Sequence, residues 1–434
     1  MSIVPFKEAF LFWLKLGFIS FGGPAGQIAI MHQYLVEKKK WISESVFLHA
    51  LNYCMLLPGP EAQQLAAYSG WLMHGTIGGI VAGLLFILPS VFILMALCVV
   101  YVTYGNTPVV SGIFYGIKPA VVAIVFLAVW KIGERALKRK IDVALALASL
   151  LALLIFKIPY TIVMIGAIAV GVIYVRVFKS ASDLTSGNIE QVSDEEEGYV
   201  INRKSNTGRK LNWSGFILKS VLFILLWCLP FGLFYYLTAD FKFWSELSLF
   251  FTQAALFTFG GAYSVLTYVA QYAVEKLHWL TQLQMIDGLA LGETTPGPLM
   301  MVLPFVGFMG AYHYFDNSIL AACIGLPTST YFTFFPSFVF ILLGAPVVER
   351  TQDNKNIKLA LGFVTAAVVG VIANLGIFTA KAVLFSSTVS LAGLNRLAMI
   401  WIIISVIAMK KFNVNMMVWI GVSAVVGLVV KLVL

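Results

Sequence analysis

The long apolar stretches of this chain are broken near their centres by Gly-Pro turns, and no other feature restricts its fold so strongly. Residues 7–36 are apolar over about 30 positions, roughly 45 Å if helical, which exceeds a bilayer core of about 30 Å and is too short for two crossings. Phe21-Gly22-Gly23-Pro24 sits at the middle of that stretch. Gly-Gly-Pro interrupts helical hydrogen bonding, so two half-length arms with a turn at membrane depth are expected, a backbone form tolerated only where protein buries it or a cavity faces it. Segment 44–70 repeats the pattern, with Pro58-Gly59-Pro60 between two short arms. One tilted, kinked helix in each place is the alternative.

A bilayer is required by composition as well. Of 434 residues, 60% are apolar and 11% charged, against about 45–50% and 25% in a soluble domain. One core cannot absorb apolar runs that recur from end to end, which excludes a soluble globular protein. The expected fold class is an all-α polytopic membrane protein. The net charge of +9 reads as basic loops held on the cytoplasmic side rather than as a nucleic-acid surface, because no basic stripe with stacking aromatics occurs outside the apolar segments. Cys54, Cys98, Cys228 and Cys323 show no CxxC spacing, so neither a zinc site nor a disulfide framework is expected. The opening MSIVPFKEAF has no cleavable leader pattern, so the first segment is expected to stay in place.

Residues 180–212 hold ten of the chain's 49 charged residues, including the acidic run Asp194-Glu195-Glu196-Glu197. That stretch reads as a solvated cytoplasmic linker between two membrane halves. The halves match one another. A shift of 238 residues lays Phe21-Gly22-Gly23 on Phe259-Gly260-Gly261, Trp41 on Trp279, and Pro58-Gly59-Pro60 on Pro296-Gly297-Pro298, with 13 identities over positions 21–60. After an insertion near His313 to Ser318, Pro89-Ser90 falls on Pro336-Ser337. An internal duplication in a membrane chain points to a transporter more than to an enzyme or receptor. The expected divisions are a first repeat at 1–179, the linker at 180–212, a linking transmembrane helix at 213–240 and a second repeat at 241–434.

Loop charges set the relative orientation of the repeats. Lys38 to Lys40 and the cluster from Lys131 to Lys140 mark two first-half loops as cytoplasmic, while Tyr104 to Pro108 between them carries no charge. In the second half the loop matching Tyr104 to Pro108 carries Arg350, Lys355 and Lys358. Inverted-topology repeats with nine full spans and four re-entrant hairpins account for that phase.

The paired Pro-Gly-Pro turns are the strongest chemical signal. Proline suits the first turn of a helix, so helices should begin just after Pro60 and Pro298, with free N–H groups and a positive dipole end aimed at the turn. Two such starts near the midplane would make an anion site with few charged side chains; helix breaks that only shape packing are the alternative. Lys118 lies in an apolar run and either balances a divalent anion or reaches for the interface. Glu61 is either a helix cap or a carboxyl that takes a proton when the anion binds. Glu293 is its counterpart before the second turn, beside Thr294 and Thr295, whose hydroxyls can donate to an oxyanion. Gln63, Gln64, His49, Asn52, Asp287 and Asn374 are weaker polar candidates. Gly22-Gly23-Pro24-Ala25-Gly26 lacks GK[ST] and opens no βαβ unit, so no nucleotide or dinucleotide cofactor is expected. No metal motif or nucleophile elbow occurs, and no enzyme activity is expected.

Phe21-Gly22-Gly23-Pro24, the stretch Trp41 to Gly75 and Gly288 to Gly297 closely resemble the chromate transporter family in its long form with two homologous halves. The resemblance covers nearly all the chain except the linker. It implies an inner-membrane carrier that expels chromate, a tetrahedral dianion, at the expense of the proton-motive force and confers chromate resistance. It carries over the turns at Gly22, Gly23, Pro24, Pro58, Gly59 and Pro60, and at Pro296, Gly297 and Pro298. Gly260 and Gly261 match the first turn, but Ala262 stands where the first half has Pro24. The expected partners are chromate or a sulfate-like oxyanion, protons and the lipid bilayer, with a homodimer left open. A sulfate or other oxyanion carrier and a passive anion channel are the alternatives.

Overall fold

The computed structural model describes residues 4–21, 23–177, 198–202, 213–238, 240–348, 355–385 and 393–433. Gly22 and most of the 180–212 stretch, its acidic run included, lie outside the described residues. Among these residues the regular secondary structure is all helical, apart from two isolated bridges, Ile42 with Ile201 and Phe385 with Leu394.

Both broken stretches fold as pairs of arms. The first comprises α1 (Phe6–Ile19) and α2 (Gly23–His32), the latter continued by a π-turn at Gln33–Lys38. The second comprises α3 (Glu44–Leu56) and the start of α4 (Glu61–Tyr104). Helix α4 is itself broken at His74 and at Gly75, whose φ of 65 reverses the path. The two sides of the break fold back on each other: a Cβ on Gly70 would strike the carbonyl of Gly78. Helices α5 (Pro108–Ala136), α6 (Lys140–Leu154) and α7 (Tyr160–Val177) complete the first half. Helix α8 (Trp213–Leu237) follows.

The second half repeats this order as α9 (Phe241–Leu256), α10 (Ala262–Val269), α11 (Gln282–Thr294), a 3-10 turn at Leu299–Met301 leading into α12 (Val302–Tyr314), then α13 (Ile319–Val348), α14 (Lys355–Leu384), α15 (Arg396–Lys410) and α16 (Met416–Val433). The duplication extends to backbone detail. A π-turn at Ala270–Lys276 matches that at Gln33–Lys38, and Lys40 and His278, 238 apart, both have positive φ (49 and 53). Trp41 N–H donates to Leu35 O and Trp279 N–H to Ala273 O, each at 2.8 Å.

Seven described helices are long and apolar enough to cross a bilayer, namely α4, α5, α7, α8, α13, α14 and α16. The nine spans expected from sequence counted α6 and α15 too. Each has 15 residues, roughly 22 Å, short of the hydrocarbon thickness. Helix α6 ends at Leu154 because Lys157, with φ 50, and Pro159 turn the chain.

The halves are interleaved. Helix α1 packs on α4 and α9 on α13, but α6 and α7 pack on α14 of the other half, while α15 and α16 pack on α5. In hydrocarbon, helices associate by close fit rather than by expulsion of water, so small residues mark these seams. Gly116 of α5 lies so near Gly427 of α16 that a Cβ there would strike Ser423 O, and a Cβ on Gly370 of α14 would strike Ala146 O of α6. Helix α8 buries none of its residues. It leans on α9 and α13, with Trp227 Nε1 donating to Thr252 Oγ1 at 3.2 Å.

Residues 198–202, the described part of the 180–212 stretch, pair with the first half. Val200 and Ile201 donate to Lys40 O and Trp41 O at 3.1 and 3.0 Å, and Ser43 N–H donates back to Ile201 O at 2.9 Å. This short strap lies on the loop between the first two hairpins because that loop has backbone groups left unpaired by its helices.

Candidate functional site

The two Pro-Gly-Pro turns meet the two Phe-Gly-Gly turns. Gly59 N–H donates to Thr258 O of the second half at 2.9 Å, and Gly297 N–H donates to Ser20 O of the first half at 2.7 Å. Gly59 and Gly297 are 238 apart, and so are Ser20 and Thr258, so each Pro-Gly-Pro turn is held by the other half's Phe-Gly-Gly turn in the same way.

Both turns need glycine for two reasons. Their φ values of 122 and 97 belong to a region that side chains rarely adopt. A Cβ on Gly59 would also sit 2.6 Å from Ser337 Oγ, and one on Gly297 would land on Ser90 Oγ. Ser90 and Ser337 are the pair that the duplication aligns, and each faces the opposite half's turn. Ser90 Oγ donates to Pro296 O.

Where the turns meet, Pro24, Gln27, Pro60, Glu61, Ala62, Gly261, Ala262, Pro298, Leu299 and Met300 surround a cavity of about 10 Å³. Its wall consists of the starts of α2, α4, α10 and the 3-10 turn before α12. The first N–H groups of a helix have no partner within the helix, and together they carry the positive end of its dipole. The cavity therefore lies at helix starts, with no cation among its wall residues. Its size suits about one water, so a tetrahedral oxyanion fits only after the turns separate.

The sequence candidates divide around this point. Pro24, Pro60, Glu61, Gly261 and Pro298 line the cavity, and Pro58, Gly59, Pro296 and Gly297 form the turns behind it. Gly23, with φ 76, and Gly260, with φ 72, shape the two Phe-Gly-Gly turns; Gly22 lies outside the described residues. Gln63 is fully buried, and neither of its amide atoms has a hydrogen-bond partner.

Glu293 is not in the wall. It is 5% exposed near the end of α11, and Tyr263 Oη donates to its Oε1 at 2.5 Å. Thr294 and Thr295 spend their hydroxyls on their own helix: Thr294 donates to Ala290 O at 2.9 Å and Thr295 to Leu291 O. Lys118 is also elsewhere. Its Nζ lies 3.2 Å from Asp287 Oδ1, and Tyr101 Oη donates to Asp287 Oδ2 at 2.9 Å, which ties α5 and α4 of one half to α11 of the other.

Two features escaped sequence reasoning. Gln27 lines the cavity, is fully buried, and donates from Nε2 to Gly297 O at 2.6 Å and to Ser20 O at 3.2 Å. Only its position one turn after Gly23-Pro24 could have signalled it. Tyr263 could have been found by pairing it with Glu293 across the turn, but the first half has Ala25 and Met55 at those places, so the duplication gave no hint.

The chain is 26% identical to the chromate transport protein of Cupriavidus metallidurans over 98% of this chain and 92% of the relative. It is 27% identical to the probable chromate transport protein of Synechococcus elongatus over 91% and 90%, and 29% identical to the chromate transport protein of Pseudomonas aeruginosa over 85% and 79%. No solved structure matches. The Chromate transporter family matches residues 7–172 and 245–428, two stretches that coincide with the two sets of broken helices and leave the linker and α8 between them. The chain is therefore a multi-pass membrane protein that belongs to the chromate transporter family.

Proposed function

We propose that this protein is a secondary active transporter that exports chromate across the cytoplasmic membrane, driven by the proton-motive force. The supporting observation is the cavity at the crossing of the two halves, where four helix starts converge and each Pro-Gly-Pro turn pairs with the opposite half. Backbone N–H groups after Pro60 and Pro298 hold the anion's oxygens, and the absence of a cation in the described wall lets the ion leave again. Glu61 or Glu293 carries the coupled proton. The repeats run with opposite topology, a reading supported by the opposed loop charges and by the exchange of terminal helices between halves. Separation of the turns on one side at a time opens the cavity.

Chromate uptake into everted vesicles under an imposed proton gradient tests this reading. Uptake that rises with the gradient and collapses with a protonophore is expected. Uptake that ignores the gradient marks a passive channel instead.

A further inference from the structure

Helix α8 is fastened to its neighbours at two levels. Near its start, Lys219 Nζ donates to Thr76 Oγ1 at 3.0 Å. Further on, Pro230 has no N–H to give Leu226 O one turn back, and Tyr331 Oη of α13 donates to that carbonyl instead at 2.7 Å. Beside it Trp227 Nε1 donates to Thr252 Oγ1 of α9. Between these levels α8, α9 and α13 enclose a groove of about 360 Å³, lined by Phe223 and Trp227 of α8, Leu256 of α9, and Phe335, Pro336 and Leu343 of α13. We propose that this groove is a lipid site, in which one acyl chain of an anionic phospholipid lies while Lys219 holds its phosphate.

The depth of the groove matches one leaflet. Thr76 follows the break of α4 at His74 and Gly75 and begins the arm 76–104, which at roughly 43 Å is long enough to cross the bilayer. Lys219 Nζ, on Thr76, is therefore at headgroup level. The far end of the groove lies behind the crossed turns. Pro336 precedes Ser337, whose Oγ is 2.6 Å from where a Cβ on Gly59 would stand, and Leu256 ends α9 just before Thr258, the acceptor of Gly59 N–H. Helix residues 61–73 separate the two levels by roughly 20 Å, a little more than half of a hydrocarbon core of about 30 Å.

The chemistry of the two ends differs as a phospholipid requires. Apart from Ser220 and the indole of Trp227 the lining is apolar, and both of those groups are engaged, Ser220 Oγ with Phe216 O at 2.9 Å and Trp227 with Thr252. The groove thus offers nothing to a polar occupant. Lys219 has three N–H donors; Thr76 takes one, and no described carboxylate pairs with the ammonium. A cation at the edge of the hydrocarbon without a counter-ion attracts an anion. A second copy presenting its own α8 would not supply one, because α8 contains no Asp or Glu. Ahead of α8, and outside the site itself, the sequence from 203 to 212 carries Arg203, Lys204, Arg209 and Lys210 and no acidic residue. Such a basic run beside a membrane helix enriches anionic lipid around the helix start.

A chain in the groove backs the part of α13 that braces the first half's Pro-Gly-Pro turn, where Tyr53 Oη also donates to Phe340 O at 3.0 Å. Lipid and cargo thus meet opposite faces of the same segment.

Photo-crosslinking of the full-length protein in phosphatidylcholine vesicles tests this. Phosphatidylglycerol or phosphatidylcholine bearing a diazirine near the end of one acyl chain is added at low mole fraction, and labelled peptides are identified by mass spectrometry. Phosphatidylglycerol should label residues 223–227 and 335–339 about fivefold more than phosphatidylcholine does, the factor that corresponds to about 1 kcal/mol per basic residue at a membrane surface. The preference should vanish in Lys219→Met, persist in Lys219→Arg, and shrink for wild type in about 1 M salt, where the Debye length falls to about 3 Å. Val339→Trp, which fills the groove, should lower labelling there by both lipids. Equal labelling by the two lipids, a preference retained in Lys219→Met or unmoved by salt, or labelling no denser in the groove than on the exposed face of α16 overturns the inference. No cargo enters the assay, so each of these outcomes leaves the transport reading standing.

Discussion

The two walls of the central cavity share a backbone and differ in almost every side chain. Gly59 and Gly297 make matched hydrogen bonds to Thr258 and Ser20, and the π-turns, left-handed residues and Trp contacts recur at a fixed offset of 238 residues. Yet Pro24, Gln27 and Glu61 line one wall, with Gln63 and Gln64 next along α4, where the duplication puts Ala262, Val265, Leu299, Met301 and Val302 in the other half. Duplication preserved what depends on main-chain groups, the donors at the helix starts. Side chains were then free to diverge, and the acceptors and the carboxylate collected on one side.

That comparison makes the largest effect a symmetric one. Gly59→Leu and Gly297→Leu should be equally damaging, because each forces a side chain into positive φ and onto the opposite half's serine. Strain and overpacking together amount to about 3 kcal/mol or more. Thermal unfolding in detergent should show the two variants alike, and a large loss in only one would break the equivalence of the turns.

An asymmetric effect of comparable size is expected at Lys118. Lys118→Met strands the buried Asp287 carboxylate and should cost about 3–5 kcal/mol, most of it recovered in Lys118→Met with Asp287→Leu, because a buried pair is expensive to halve and cheap to replace. The same unfolding assay reads this as a double-mutant cycle. Equal stability of wild type and Lys118→Met would show that the pair does not hold α5 to α11.

A smaller effect is expected at Tyr263. Tyr263→Phe removes one hydrogen bond from Glu293 and should cost about 1–3 kcal/mol, with no counterpart in the first half, where Ala25→Gly at the matching position should change little more than helix propensity, about 1 kcal/mol. The smallest concerns the strap: Ile201→Pro deletes one donor to Trp41 O, worth about 1 kcal/mol. Proteolysis of the linker in intact membranes should quicken in that variant, and an unchanged rate would show that the strap is not docked.

Most of the architecture was legible in the sequence because proline and glycine act locally. Pro60, Pro298 and the two Gly-Gly pairs announce helix breaks whatever surrounds them, and an ungapped repeat ties the halves together. Long-range pairing was not legible. Nothing near Lys118 in sequence names Asp287, and nothing near Thr294 shows that its hydroxyl would turn to its own helix. Gln27 was passed over because a buried glutamine gives no periodic signal, and the strap at Val200 and Ile201 was hidden in a charged segment whose composition reads as solvated.

The central claim, that the anion sits between the two halves, is tested most directly at Ala62, a buried cavity residue of the first wall. With Cys54, Cys98, Cys228 and Cys323 replaced by serine or alanine, Ala62→Cys can be labelled by a small thiol reagent during turnover in proteoliposomes. Chromate should slow that labelling in proportion to its occupancy. Labelling unaffected by chromate, in protein that still transports it, would contradict the account.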